Sequence, residues 1–181
     1  MAGSGGSQSS GLRAENHSAS GTFTAIIAGN QVRSWGSGPG INFQVGDTGN
    51  VNATLDLVVT NNAVSNPGAS SQHGIVLNGG ADTAGANAIC IDVKNNNVNL
   101  GATPPNGGSN IRLRQRNSST VHLPNYSGGS GPGDTASVIS FESGQNTLTP
   151  AGNVTASAAY PTTGGGFTGG AGACANPVVP Q

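Results

Sequence analysis

The stretch "LDLVVTNNAVSNPG", residues 55–68, places Leu55, Leu57, Val58 and Val59 in its first five positions and then stops on Asn61 and Asn62. Such a run reads as a half-buried strand. Glycine usually closes one, yet here two asparagines do so, and Ala63 and Val64 follow at once. Two further copies of the pattern explain why. They are "TAIIAGNQVRS" from Thr24 and "CIDVKNNNVNL" from Cys90, and with "DLVVTNNAVSN" from Asp56 they align without gaps. The alignment puts Asn30, Asn62 and Asn96 in one column, 32 and then 34 residues apart. Ile27, Val59 and Val93 form a second column, and Val32, Val64 and Val98 a third.

A second strand type recurs between these copies: "GLRA" at Gly11, "GINF" at Gly40, "GIVL" at Gly74 and "NIRL" at Asn110. Its apolar columns are Leu12, Ile41, Ile75 and Ile111, and two residues on Ala14, Phe43, Leu77 and Leu113. That spacing puts both columns on one face of a strand. Good helix formers are scarce and no window carries an i, i+3, i+4, i+7 apolar stripe, so no helix of consequence is expected. A period of about 30–36 residues built from two short strands and glycine-rich connections predicts an all-β solenoid, each coil burying its apolar columns against the next. Stacked asparagines then form a hydrogen-bonded ladder at a tight corner, where their side chains also tolerate the left-handed backbone conformation. A leucine-rich repeat carries such a ladder too, but needs a leucine consensus every 20–29 residues or so, and leucines are few here.

At these residues the chain resembles the right-handed parallel β-helix repeat proteins, with an "N-x-V" corner after an "I-x-V" strand and a following "G-I-x-L" strand. The resemblance spans residues 11–125. "IRLRQRNSSTVHLPNY" and the glycine-rich, cysteine-bearing tail look like the C-terminal end of β-helix regions in large secreted bacterial surface proteins. The resemblance implies the fold and an extracellular setting. It implies no single activity, since the family holds pectate lyases, phage tailspikes and adhesins.

Composition sets the remaining bounds. The 181 residues suit one domain. Charged residues are 7% and aromatics 4%, which leaves a small aliphatic interior and no ion-pair network. The formal net charge of -1 offers no field to draw nucleic acid or anionic lipid to the whole surface. No apolar run approaches a membrane span, and "MAGSGGSQSS" lacks the features of a signal peptide. The expected organisation is a Gly/Ser-rich lead over residues 1–10, β-helix coils over 11–125, a last partial coil or cap over 126–160 and a loosely ordered Gly/Pro-rich tail over 161–181. "SVISF" from Ser137 and "NVTASA" from Asn153 are the strands expected in that partial coil.

Cys90 shares a column with Thr24 and Asp56, which alternation turns outward when Ile91 and Val93 turn in. A tail crossing the outer wall would reach it, so a disulfide between Cys90 and Cys174 is expected. Two unpaired thiols in a reducing compartment stay open as the alternative.

Chemistry-bearing residues are sparse. The seven carboxylates are Glu15, Asp47, Asp56, Asp82, Asp92, Asp134 and Glu142. Asp56 and Asp92 fall close together on adjacent coils, but Lys94, two residues from Asp92 on the same face, is the simpler partner for Asp92. "GDTG", "ADTA" and "GDTA" hint at calcium, yet Asp-Thr is ordinary turn chemistry, and neither metal nor cofactor is expected. Arg112, Arg114 and Arg116 project from one face of one strand and suit an anionic glycan; alternatively they form a solvated, charged strand at the solenoid's end. His17, His73 and His122 read as surface residues. Five N-x-S/T sequons, at Asn16, Asn52, Asn117, Asn125 and Asn153, arise easily in a chain so rich in Asn, Ser and Thr. The expected function is a non-enzymatic structural or adhesion segment, a rigid stalk of an extracellular bacterial surface protein. Self-assembly through exposed coil ends into a filament, polysaccharide binding, and a carbohydrate-active enzyme fragment are the alternatives.

Overall fold

A computed structural model describes residues 10–17, 20–46, 52–80, 85–129, 134–159 and 165–174. The chain lays down β1 (Leu12–Asn16), β2 (Thr22–Ala28) and β3 (Gln31–Arg33), then β4 (Ile41–Val45), β5 (Thr54–Thr60) and β6 (Ala63–Ser65), then β7 (Ile75–Gly79), β8 (Ala88–Lys94) and β9 (Asn97–Asn99). It continues through β10 (Ile111–Arg116), β11 (Thr120–Pro124), a helix α1 (Thr135–Gln145), β12 (Thr147–Thr149), β13 (Val154–Ala159) and β14 (Gly166–Gly170). The strands fall into three parallel sheets. The first holds β1-β4-β7-β10-β13, the second β2-β5-β8-β11-β14 and the third β3-β6-β9-β12. Each circuit of the chain therefore visits the three sheets in the same order. The β-dominated, parallel architecture expected from the repeats is present, and no helix among the described residues is long and apolar enough to cross a membrane.

Register turns the sequence columns into an interior. Ile41 lies beside Ile75 and Ile75 beside Ile111, and Val154 extends that row on β13. Phe43, Leu77 and Leu113 make the next row. In the second sheet Val59 pairs with Ile27 and Val93, and in the third Val64 pairs with Val32 and Val98, which Leu148 of β12 follows. Ile41, Phe43, Val59, Val64, Ile75, Leu77, Val98, Ile111 and Leu113 are wholly enclosed, and Val32 and Val93 nearly so. Each such burial contributes about 1.5–3 kcal/mol. Ile27, on the edge strand β2, is only partly buried with Leu12, Phe23 and Ala25.

Close approach fixes the corner between the third and first sheets. A Cβ on Gly74 would stand 2.4 Å from Val98 Cγ1 and 2.5 Å from the Asn110 carbonyl oxygen, and Gly11 and Gly40 meet Val32 and Val64 in the same way. The valine row thus reads out as a glycine row one strand later.

Two expectations need correction. "SVISF" is not a strand, and the expectation of no consequential helix fails with it: it lies in the 11-residue α1, which packs against β13, β8 and β12, one strand from each sheet. Val138 is fully buried and Phe141 meets the Tyr126 ring edge-on at 5.4 Å. The apolar stripe was hidden because Glu142 fills the i+4 place after Val138 and is itself 1% exposed. The tail beyond Pro161 is also more than a loose end. β14 pairs with β11 and sends Phe167 into the core. Glycine suits that strand because a Cβ on Gly169 would stand 2.0 Å from the Tyr126 carbonyl oxygen.

Burial pushes the Glu142 carboxyl well above its ordinary value of 4.5, and the charge of Asp92 adds to the shift. Asp92 in turn pairs with Lys94. Because the folded value lies above the unfolded one, the helix docks at full strength below the ordinary carboxyl range, and stability falls as pH rises through the raised value. Thermal unfolding followed from pH 4 upward is expected to show a falling midpoint, and Glu142→Gln is expected to flatten the fall. A wild-type midpoint that climbs over this range would contradict it.

Candidate functional site

The most ordered polar feature is the corner between the second and third sheets. Asn30 donates to Asn62 Oδ1 from both its backbone N–H and its side-chain amide, each at 3.0 Å. Asn62 does the same to Asn96 Oδ1 at 3.0 and 2.9 Å. The second amide hydrogen of Asn62 reaches the Ile27 carbonyl at 2.8 Å, and that of Asn96 the Val59 carbonyl at 2.9 Å. Each side chain therefore grips the circuits on both sides of it. Asn62 and Asn96 are 1% exposed, so no water competes for these bonds.

The ladder has a fourth rung that the spacing concealed. Asn96 donates twice to Asn146 Oδ1, both at 3.0 Å, and Asn146 returns a bond to the Val93 carbonyl. Asn146 follows Asn96 by 50 residues because the α1 excursion intervenes. The backbone role expected of these residues also moves by one position. The left-handed conformation belongs to Gly29, Asn61 and Asn95, at φ 67°, 56° and 56°, and not to the ladder residues themselves. Asn61 and Asn62 thus divide the work: the first turns the chain and the second bonds across the circuits.

A shorter ladder closes the glycine corner where the glycines end. Asn153 donates to Asn110 Oδ1 at 2.9 Å, and Asn110 donates to the Val98 and Thr149 carbonyls. The asparagines of two sequons already spend their amide hydrogens: Asn16 on the Gly21 and Thr54 carbonyls, and Asn153 on the Gly108 carbonyl and Asn110 Oδ1.

On the outer wall of the second sheet Asp56, Cys90 and His122 stand side by side, and Cys90 and Cys174 are joined by a disulfide. The chain after β14 passes back over the wall, where His122 Nε2 donates to the Gly172 carbonyl at 2.9 Å. The two cysteines are 84 residues apart, so the crosslink closes a loop worth about 4 kcal/mol in chain entropy.

Arg112, Arg114 and Arg116 stand half-buried on the outer face of β10. Arg112 Nη1 lies 2.9 Å from His73 Nε2, while His73 Nδ1 accepts the Ser109 N–H at 2.9 Å. His73 is therefore a half-buried partner of β10 and not a plain surface residue. Burial pulls its pKa down, and the Arg114 charge adds to this. A histidine two residues ahead of β10's neighbour strand gives no sequence signal of that contact.

The carboxylates are dispersed. Lys94 takes Asp92, and Arg13 and His17 take Glu15. The Tyr126 hydroxyl donates to Asp134 and holds its carboxyl below the usual range. Asp47 and Asp82, with the first two Asp-Thr loops, lie outside the described residues. Among the described residues no three His, Cys, Asp or Glu side chains gather as a metal-holding group. No protein-family model, curated protein or solved structure matches the chain.

The division of labour at the corner is testable. Asn62→Ala removes bonds to two circuits and leaves buried partners unsatisfied, which is expected to cost about 3 kcal/mol; Asn62→Gly is expected to cost at least as much. Asn61→Ala carries a left-handed strain of about 1–2 kcal/mol, and Asn61→Gly stays near the wild type. Guanidinium unfolding midpoints of the four variants check this, and equal costs at the two positions would contradict it.

Proposed function

We propose that the chain is a right-handed parallel β-helix segment that serves as a rigid structural or adhesive spacer of an extracellular bacterial surface protein. The observation that carries this reading is the four-rung amide ladder running through successive circuits, locked outside by the Cys90–Cys174 crosslink. Constant strand order on every circuit supports the helical path, and parallel crossover connections are right-handed in nearly every fold. A disulfide suits an oxidising compartment. The role is mechanical and not catalytic: load along the stack meets hydrogen bonds in all three sheets and both asparagine corners. Among the described carboxylates Glu15, Asp92 and Asp134 are paired and Glu142 is enclosed, and none of these four stands free to act as acid or base.

Stacking into filaments is the second reading, and one feature favours it. β1, β2 and β3 are the edges of all three sheets at one end, a template for further strands. At the other end α1 packs on β13 and β12, the last strands of the first and third sheets, while β14 ends the second. A polymer needs two matching faces, and a helix against two of the three last strands makes this end unlike the first, so the spacer reading is preferred.

Single-molecule pulling from the two termini tests the role. A spacer of this kind is expected to yield in discrete steps, with residues between Cys90 and Cys174 shielded until reductant is added. Reduction is expected to release about 29 nm of further contour length, 84 residues at about 3.5 Å each. Featureless extension at low force would overturn the proposal.

A further inference from the structure

Among the described residues no salt bridge engages Arg112 or Arg114 of β10. Among the described residues Arg112 makes a side-chain contact with His73 alone, and Arg114 Nε is buried without a partner. The His73 contact does not satisfy Arg112. A neutral imidazole that accepts the Ser109 N–H at Nδ1 carries its proton on Nε2, so a donor faces the guanidinium. Arg112 and Arg114 are two residues apart on one strand, about 7 Å, and both are half-buried. Two fixed, partly desolvated cations without a counter-charge attract an anion strongly.

The neighbours define what kind. In register, Arg114 stands beside Asn78 on one side and Ser157 on the other, and Arg112 beside Val76 and Thr155. Beyond Asn78 the same row holds Gln44 and then Glu15. Asn78 and Gln44 are half-buried, and among the described residues no hydrogen bond engages their side-chain amides. Glu15, three strands or about 14 Å from Arg114, is already paired with Arg13 and His17. The face therefore offers a basic end, then two amides in a line across the strands, then a closed ion pair. Amides that both donate and accept suit sugar hydroxyls, and the arginine pair suits a carboxylate or sulfate.

We infer that the outer face of the first sheet binds an anionic glycan, its acid group on Arg112 and Arg114 and its hydroxyls on Asn78 and Gln44. The chain's overall charge of -1 leaves no long-range pull, so recognition is local and salt-sensitive. The site rests on the sheet register and the burial of its side chains; it stands or falls apart from the spacer role, which is read by force and not by binding.

Affinity electrophoresis of the whole oxidised chain provides the test, with polygalacturonate, heparin, dextran and single-stranded DNA as probes. Retardation by polygalacturonate or heparin is expected, with none by dextran and at least tenfold weaker retardation by DNA. The double variant Arg112→Gln, Arg114→Gln is expected to lose at least tenfold in affinity, and Asn78→Ala about threefold. Polygalacturonate carries carboxylates alone, so its retardation assigns the acid group to carboxylate, and retardation by heparin without it assigns it to sulfate. A second reading uses the unmodified chain: the His73 ring pKa, followed by NMR, is expected to rise when the acidic probe binds, because the Arg112 and Arg114 charges are then compensated. No retardation by either acidic probe, DNA bound as tightly as the glycans, unchanged affinity in a folded double variant, or a His73 titration indifferent to the bound probe would each overturn the inference.

Discussion

Everything in this fold depends on one corner, where an asparagine side chain on each circuit bonds to the circuit before it and the circuit after it. A parallel stack has no tight hairpin to set its register, and a one-residue slip would turn every inward side chain outward. The rungs at Asn30, Asn62, Asn96 and Asn146 forbid that slip, because the Oδ1 of Asn62, Asn96 and Asn146 each accepts a backbone N–H and a side-chain amide of the preceding rung at about 3 Å. With register held, Ile41, Ile75 and Ile111 stack, the valines of the third sheet stack, and the glycines before the first sheet make room for them.

The ladder also accounts for the composition. A chain that is 7% charged has few ion pairs to draw on. Burying a charge is costly, whereas an amide buried with all its bonds made is close to neutral and fixes geometry. Polar closure is thus carried by Asn, Ser and backbone, and the few charged groups lie on the outer wall or, in Glu142, have a carboxyl pKa pushed up by burial.

The repeats were legible because three circuits have nearly equal length. Asn30, Asn62 and Asn96 align without gaps, and so do the apolar columns, which the register reproduces row by row. What escaped did so for physical reasons. Asn146 sits beyond an excursion that breaks the period, α1 hides its apolar face behind a buried acid, and β14 is built of glycines whose merit is the space they leave under Tyr126. The outward arginines follow from alternation, but His73 and Asn78 reach them from another circuit, and only the register reveals that. Alternation likewise placed Cys90 outward, within reach of Cys174.

Native-state hydrogen exchange at the Asn62 and Asn96 amides tests the central claim most directly. Both are corner positions outside the strands, and both donate to a side-chain oxygen of the next circuit. The account predicts that they exchange only through global unfolding, as slowly as the enclosed amides of β5 and β8. Exchange at the rate of exposed loop amides would show that the corners open freely and that the sheets alone hold the stack together.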